Sequence, residues 1–142
     1  MKYLLALFVV LLAGCQTPGI VLKETPLGIS ETRKVIVSIA GEPRSISQNG
    51  RELVSKYYDR DGLFIQRMEK AYERFYSHFI ILGDRRPYDI AIKVHREIRK
   101  DGGGFEFIEQ DLDRGELLAE RLKAALNESR DKRNLLDDFR SF

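Results

Sequence analysis

The residue types that could do chemistry are few. There is one cysteine, Cys15, and there are two histidines, His78 and His95. The cysteine closes the stretch "LLALFVVLLAGCQ", after an apolar run and two small residues. A lone thiol cannot close an internal disulfide, and no other thiol remains for nucleophilic, redox or metal chemistry. The histidines share no metal-ligand spacing. His78 reads as the end of a helix and His95 as the polar face of a strand, both on the surface. "DRDG" at residues 59–62 has the look of a calcium loop. Aligning Gly62 with the loop glycine, however, puts Tyr57 at the first ligand and Met68 where a bidentate glutamate is required. Residues 102–104 are three glycines with no following strand-to-helix turn and no Lys-Ser/Thr pair, so they do not cradle a phosphate. Carboxylate pairs (Glu106 with Glu109, Asp111 with Asp113) belong to any charged surface, and no serine sits in a nucleophile elbow. No catalytic residue, metal ligand or cofactor is assigned, and the chain is not expected to be an enzyme.

Leu12-Ala13-Gly14-Cys15 resembles the lipobox of bacterial lipoproteins, an aliphatic residue and two small ones before a cysteine. The resemblance implies cleavage between Gly14 and Cys15, loss of residues 1–14 as a signal peptide, and a diacylglycerol on the Cys15 thiol. The layout agrees with this. Met1 and Lys2 supply a minimal basic start, and the apolar run of about 11 residues is roughly half of what a helix needs to cross a bilayer. Two or three acyl chains hold a protein stably where one does not. In such lipoproteins an aspartate after the cysteine tends to retain the protein in the inner membrane. Gln16 stands there instead, which implies the periplasmic face of an outer membrane.

Charge narrows the partners. The chain has 24 basic and 22 acidic side chains; losing Lys2 with residues 1–14 leaves 23 basic. The signs are interspersed, as in Glu69-Lys70, Glu73-Arg74 and Glu120-Arg121. No basic stripe carries aromatics, so nucleic acid is not an expected partner. The membrane, through the N-terminal lipid, and an envelope protein are.

The elements that would carry these residues follow from periodicity. Residues 15–32, with Pro18, Gly19, Pro26 and Gly28, read as a lipidated N-terminus and tether, with a flexible span on the order of 20 Å and a limit of about 50 Å. A globular unit follows over 33–131, with "KVIVSIA" (34–40) as its first strand. Ser47 or Asn49 would cap a helix over 51–58. A longer helix over 63–77 would carry Phe64, Met68, Ala71, Tyr72, Phe75 and Phe79 on one stripe. "FIILG" is a short strand, "YDIAIKVHREI" a half-buried one, and "FEFIEQDL" its partner after the glycines. Asp113 would cap a last helix whose face is Leu118, Leu122 and Ala125, widened by Leu117 and Leu126. The order β-α-α-β-β-β-α predicts an α+β two-layer sandwich, a mainly antiparallel sheet with helices on one face. Residues 132–142 form an amphipathic tail, with Leu135, Leu136, Phe139 and Phe142 as a strip for its own domain or for a partner.

Strand, helix, then the alternating "FIILGDRRPYDIAIKVHREI" is similar in order to the small α/β domains of lipoproteins in curli secretion and penicillin-binding-protein activation. The resemblance spans residues 34–98 and rests on topology. It implies a binding or assembly accessory of a cell-envelope complex. The alternative is a periplasmic small-ligand carrier or enzyme, whose site would gather Tyr57, Tyr58, Tyr72 and Tyr76 around a pocket. The anchoring expectation is directly measurable: mass spectrometry of the mature N-terminus should find an acylated Cys15, and Cys15→Ser should leave the chain unprocessed or release it from the membrane. An unmodified Cys15 in the mature protein overturns it.

Overall fold

The structure, a computed structural model, describes residues 19–139, with side chains described for residues 19–134. Cys15 lies outside the described residues. Two long strands, β4 (Glu73–Leu82) and β5 (Tyr88–Arg99), pair antiparallel from Glu73↔Ile98 to Leu82↔Asp89. β3 (Glu52–Val54) joins the free edge of β4, and β2 (Ser45–Ile46) joins β3. The other edge of β5 is shared: β1 (Ile20–Thr25) pairs with its first half and β6 (Phe105–Gln110) with its second. Side chains alternate across the pleat, so Phe79 of β4 and Ile90 and Ile92 of β5 point to one face.

That face is covered by α1 (Ile29–Ala40) and α2 (Leu112–Phe139). Leu27, Val35 and Ile36 meet Leu53, Phe79, Ile90 and Ile92 from the strands and Ala119, Leu122 and Leu126 from α2. Gly115 lets α2 come close to β1, since a Cβ there would stand 3.2 Å from Ile20. The α+β two-layer class is as expected, and the element order roughly follows the expected one.

Several local assignments change. Residues 34–40 are helix rather than strand, because Thr32, Val35 and Ile36 at i, i+3 and i+4 are all buried against the sheet. Tertiary burial overrides the β preference of Val and Ile. The helix has its own end signals: the Gly28 N–H donates to the Glu31 carboxylate at 3.2 Å, and Gly41 at φ +75° ends it with its N–H on Val37. Residues 51–58 hold a strand. Ser47 and Asn49 shape the turn before it, Asn49 Oδ1 accepting from the Arg51 N–H and Ser47 Oγ from the Glu52 N–H. Residues 63–77 are a loop with a 3₁₀ turn, Met68–Lys70, followed by β4, so His78 is mid-strand. The supposed tether is ordered from Ile20. Asp111, not Asp113, caps α2, accepting the Arg114 N–H at 3.0 Å. That helix continues to Phe139, and Arg133 meets Glu31 of α1 at 3.1 Å; the side chains of the expected tail strip lie outside the described residues.

The strand assignment of 73–82 has a direct test. Phe79 is 1% exposed and Tyr72 is 72% exposed. Phe79→Ala should cost about 3–5 kcal/mol by urea denaturation, and Tyr72→Ala less than about 0.5. Comparable losses would restore the helical stripe that puts both residues in the core.

Candidate functional site

The pleat that buries one face of the sheet leaves the other uncovered by the described chain. Across β4 and β5, the cross-strand pairs on this outer face are Arg74↔Glu97, Tyr76↔His95 and His78↔Lys93. Arg44, just before β2, and Tyr57, just beyond β3, extend the face on one side. Phe105 and Phe107 of β6 extend it on the other.

These side chains build an alternating stack of cations and rings. The Arg44 guanidinium lies 4.1 Å from the Tyr57 ring centre, and Arg74 lies 3.8 Å from that ring. Arg74 also lies 3.8 Å from the Phe105 ring, and Arg99 lies 4.8 Å from the same ring. Each such contact is worth about 0.5–2 kcal/mol, more where water is excluded. Arg74 is part-buried, and Glu97 answers its charge at 2.6 Å. Arg99 donates to the carbonyls of Ala71 (2.8 Å) and Met68, fastening the loop before β4 to the sheet. Arg44 forms no ion pair among the described residues and is exposed, so it is the cation of the stack most available to an incoming group.

A second row lies alongside. Tyr57 meets Tyr76 edge-on at 5.7 Å, Tyr76 stacks on His95 at 4.7 Å, and His95 meets Phe107 at 5.6 Å. Burial, with the nearby His78 and Lys93, holds the His95 imidazole below its ordinary pKa. Its Nε2 is buried without a hydrogen-bond partner. Burial also raises the Tyr76 phenol. The result is a rigid surface of rings and guanidiniums, suited to stacking against planar groups and to accepting an acidic or aromatic side chain.

On the inner side, a cavity of about 240 Å³ opens between the end of α1, the 59–64 turn and the start of α2. Tyr58 Oη and Ser77 Oγ share a hydrogen bond there at 2.9 Å, and burial raises the Tyr58 pKa, so its phenol stays neutral. Arg114 is held over the Phe75 ring at 4.3 Å, ion-paired with Asp111 at 3.0 Å and donating to the Arg60 carbonyl at 2.6 Å.

The four tyrosines do not line one pocket. Tyr57 and Tyr76 meet on the outer face, Tyr58 turns to the inner cavity, and Tyr72 is exposed beside an open groove of about 610 Å³. The two histidines, separate in the sequence reading, come within 6.4 Å because the register sets their strands side by side. The carboxylates are held in pairs: Glu106 with Lys100, Glu109 with Arg96, Asp111 with Arg114. In "DRDG", Asp59 Oδ1 accepts the N–H groups of Asp61 and Leu63, which makes it a turn residue. Residues 102–104 belong to the β5–β6 hairpin turn. The arginine stack is the feature that sequence reasoning missed. Its signal was the alternation Arg74, Tyr76, His78, visible only once residues 73–82 are read as strand.

No family model, curated protein or solved structure matches this chain. Its site is therefore defined by geometry alone.

The depressed His95 pKa makes the face pH-sensitive. A base whose folded pKa lies below its unfolded value contributes stability that is present above the unfolded value, about 6.5, and lost as pH falls through the folded one. The urea midpoint should therefore fall from neutral to mildly acidic pH, and His95→Gln should remove part of that fall. Parallel pH profiles for the two proteins would show that His95 titrates as if in water.

Proposed function

We propose that this chain is a lipid-anchored accessory module of a bacterial cell-envelope complex, held at the periplasmic face of the outer membrane and binding an envelope protein through its outer sheet face. The anchoring rests on Leu12-Ala13-Gly14-Cys15 after a short apolar run. No helix among the described residues is long and apolar enough to cross a membrane, so in this reading the lipid supplies the attachment.

The observation that carries the binding role is the stack of Arg44, Tyr57, Arg74, Phe105 and Arg99. Arginine and tyrosine are the residue types that most often dominate protein interfaces. Here the neighbouring rings and Glu97 hold them in place, so little side-chain entropy remains to be lost on docking. The competing reading, a small-ligand carrier or enzyme, asked for tyrosines gathered around a pocket, and they divide between the two sides of the sheet instead.

A photo-crosslinking amino acid placed at Arg44 or His78 should give a discrete protein adduct in the native envelope. The same probe at Glu120, on the exposed side of α2, should give none. Equal yields from both sides of the molecule, or no adduct from the sheet face, would overturn the assignment of this face.

A further inference from the structure

We propose that the edge of the sheet shared by β1 and β6 lies against the bilayer, with Val21, Phe107, Ile108 and Leu112 at the boundary between headgroups and acyl chains. This rests on the lipidation of Cys15 proposed above and deepens it, by fixing which side of the domain faces the membrane.

Chain length is the first reason. Only four residue steps separate Cys15 from Gly19, where the described chain begins, a reach of at most about 14 Å. The headgroup layer through which this leash must pass is itself about 5–8 Å thick. The expected tether of residues 15–32 would have lifted the domain clear of the surface, but β1 takes up residues 20–25 in the sheet. The exit point of the chain is therefore held within about a nanometre of the lipid.

The second reason is where that exit lies. Ile20 pairs with Ile92, which sets Gly19 beside Lys93. The approach is tight: a Cβ on Gly19, at φ +77°, would stand 2.5 Å from the Ile92 carbonyl oxygen. The exit is thus pinned at the point where β1 ends and β6 takes over the edge of β5. Along this edge Val21 stands opposite Ala91 on one side of Gly19, and Phe107 stands opposite Glu97 on the other. Leu112 follows Asp111, whose N–H donates to the Val94 carbonyl at 2.9 Å, directly beside the exit.

The third reason is that these side chains are exposed and apolar. Val21 is 37% exposed, Phe107 52%, Ile108 43% and Leu112 47%. The nearby carboxylates Glu109 and Asp111 are held by Arg96 and Arg114, whereas Lys23 and Lys93, like Glu24 and Asp113, form no ion pair among the described residues, so the edge carries free charges of both signs. The free charges balance, so the four exposed apolar side chains carry the fit to the acyl boundary, with Lys23 and Lys93 placed to meet phosphates above it. The patch is too small to recruit the protein alone. The lipid makes its contact intramolecular, so a weak interaction suffices.

The chain contains no tryptophan, so each introduced one is a lone reporter. The lipidated mature protein would be reconstituted into phosphatidylethanolamine/phosphatidylglycerol vesicles with brominated acyl chains. Phe107→Trp and Leu112→Trp should show blue-shifted emission and a severalfold greater quenching by bromine than Ile46→Trp. Ile46 is exposed on β2, at the opposite edge of the sheet, about 19 Å across four strand spacings. Equal quenching at all three positions in acylated protein overturns the edge contact and leaves the lipoprotein reading intact. Protection of the Phe107→Trp and Leu112→Trp reporters from aqueous iodide without bromine quenching means that a second copy or another protein covers the edge, and also overturns it. Mass spectrometry of the same sample separates the two readings: an unacylated Cys15 overturns the lipoprotein assignment itself.

Discussion

The pairing of β4 with β5 is the constraint on which the rest of the molecule depends. Ten consecutive residue pairs lock the two strands in one register, and the period-two pleat then decides the side of every residue along them. Phe75, Ser77, Phe79 and Ile81 go inward with Ile90, Ile92 and Val94; Arg74, Tyr76 and His78 go outward with Lys93, His95 and Glu97. A one-residue slip would exchange the core for the arginine–aromatic face. Ion pairs reinforce the register from both sides of the sheet: Arg74 meets Glu97 on one, and Glu73 is held by Arg96 and Arg60 on the other. Burial pushes the Glu73 carboxyl up, but hydrogen bonds from those two arginines outweigh it and leave the group below the usual carboxylate range.

From this pair the two sides of the molecule acquire different work. The inner face gains its stability from apolar burial under α1 and α2. The outer face has no such cover among the described residues, and rings and guanidiniums lie against one another there. Arg74 is the best held of these side chains, between two rings and the Glu97 carboxylate. The shared outer edge of β5 adds a third property. Since β1 and β6 divide it between them, the N-terminal end of the described chain emerges midway along the sheet rather than at a corner.

The sequence was most legible where one period ran without competition. "YDIAIKVHREI" alternates apolar and polar residues for its full length and is β5; the glycines after it turn the chain into β6. The helix carrying Leu118, Leu122 and Leu126 was equally clear, although Ala119 rather than Leu117 completes its buried face and Leu117 is 52% exposed. Residues 63–79 were misleading for a definite physical reason. A spacing of four is even, so Phe75 and Phe79 share a face in a strand as well as in a helix, and only the helical pattern also admitted Phe64, Met68 and Tyr72. In the folded chain Phe64 is 49% and Tyr72 72% exposed, and the strand pattern is the one that buries aromatics.

What the sequence by itself determined is the two-layer α+β class, the β5–β6 hairpin, the long last helix and a chain whose one cysteine lies at the end of its opening apolar run. Tertiary structure decided the rest. Residues 34–40 became helix because the inner face needed a cover, and their burial outweighs the local preference of four β-branched residues, Val35, Ile36, Val37 and Ile39. Residues 20–25 became strand because the first half of β5 offered unpaired backbone groups on its outer edge, which no local pattern in a Pro- and Gly-containing segment announces. The arginine stack joins residues from Arg44 to Phe105, and that proximity exists only once the strands are in register.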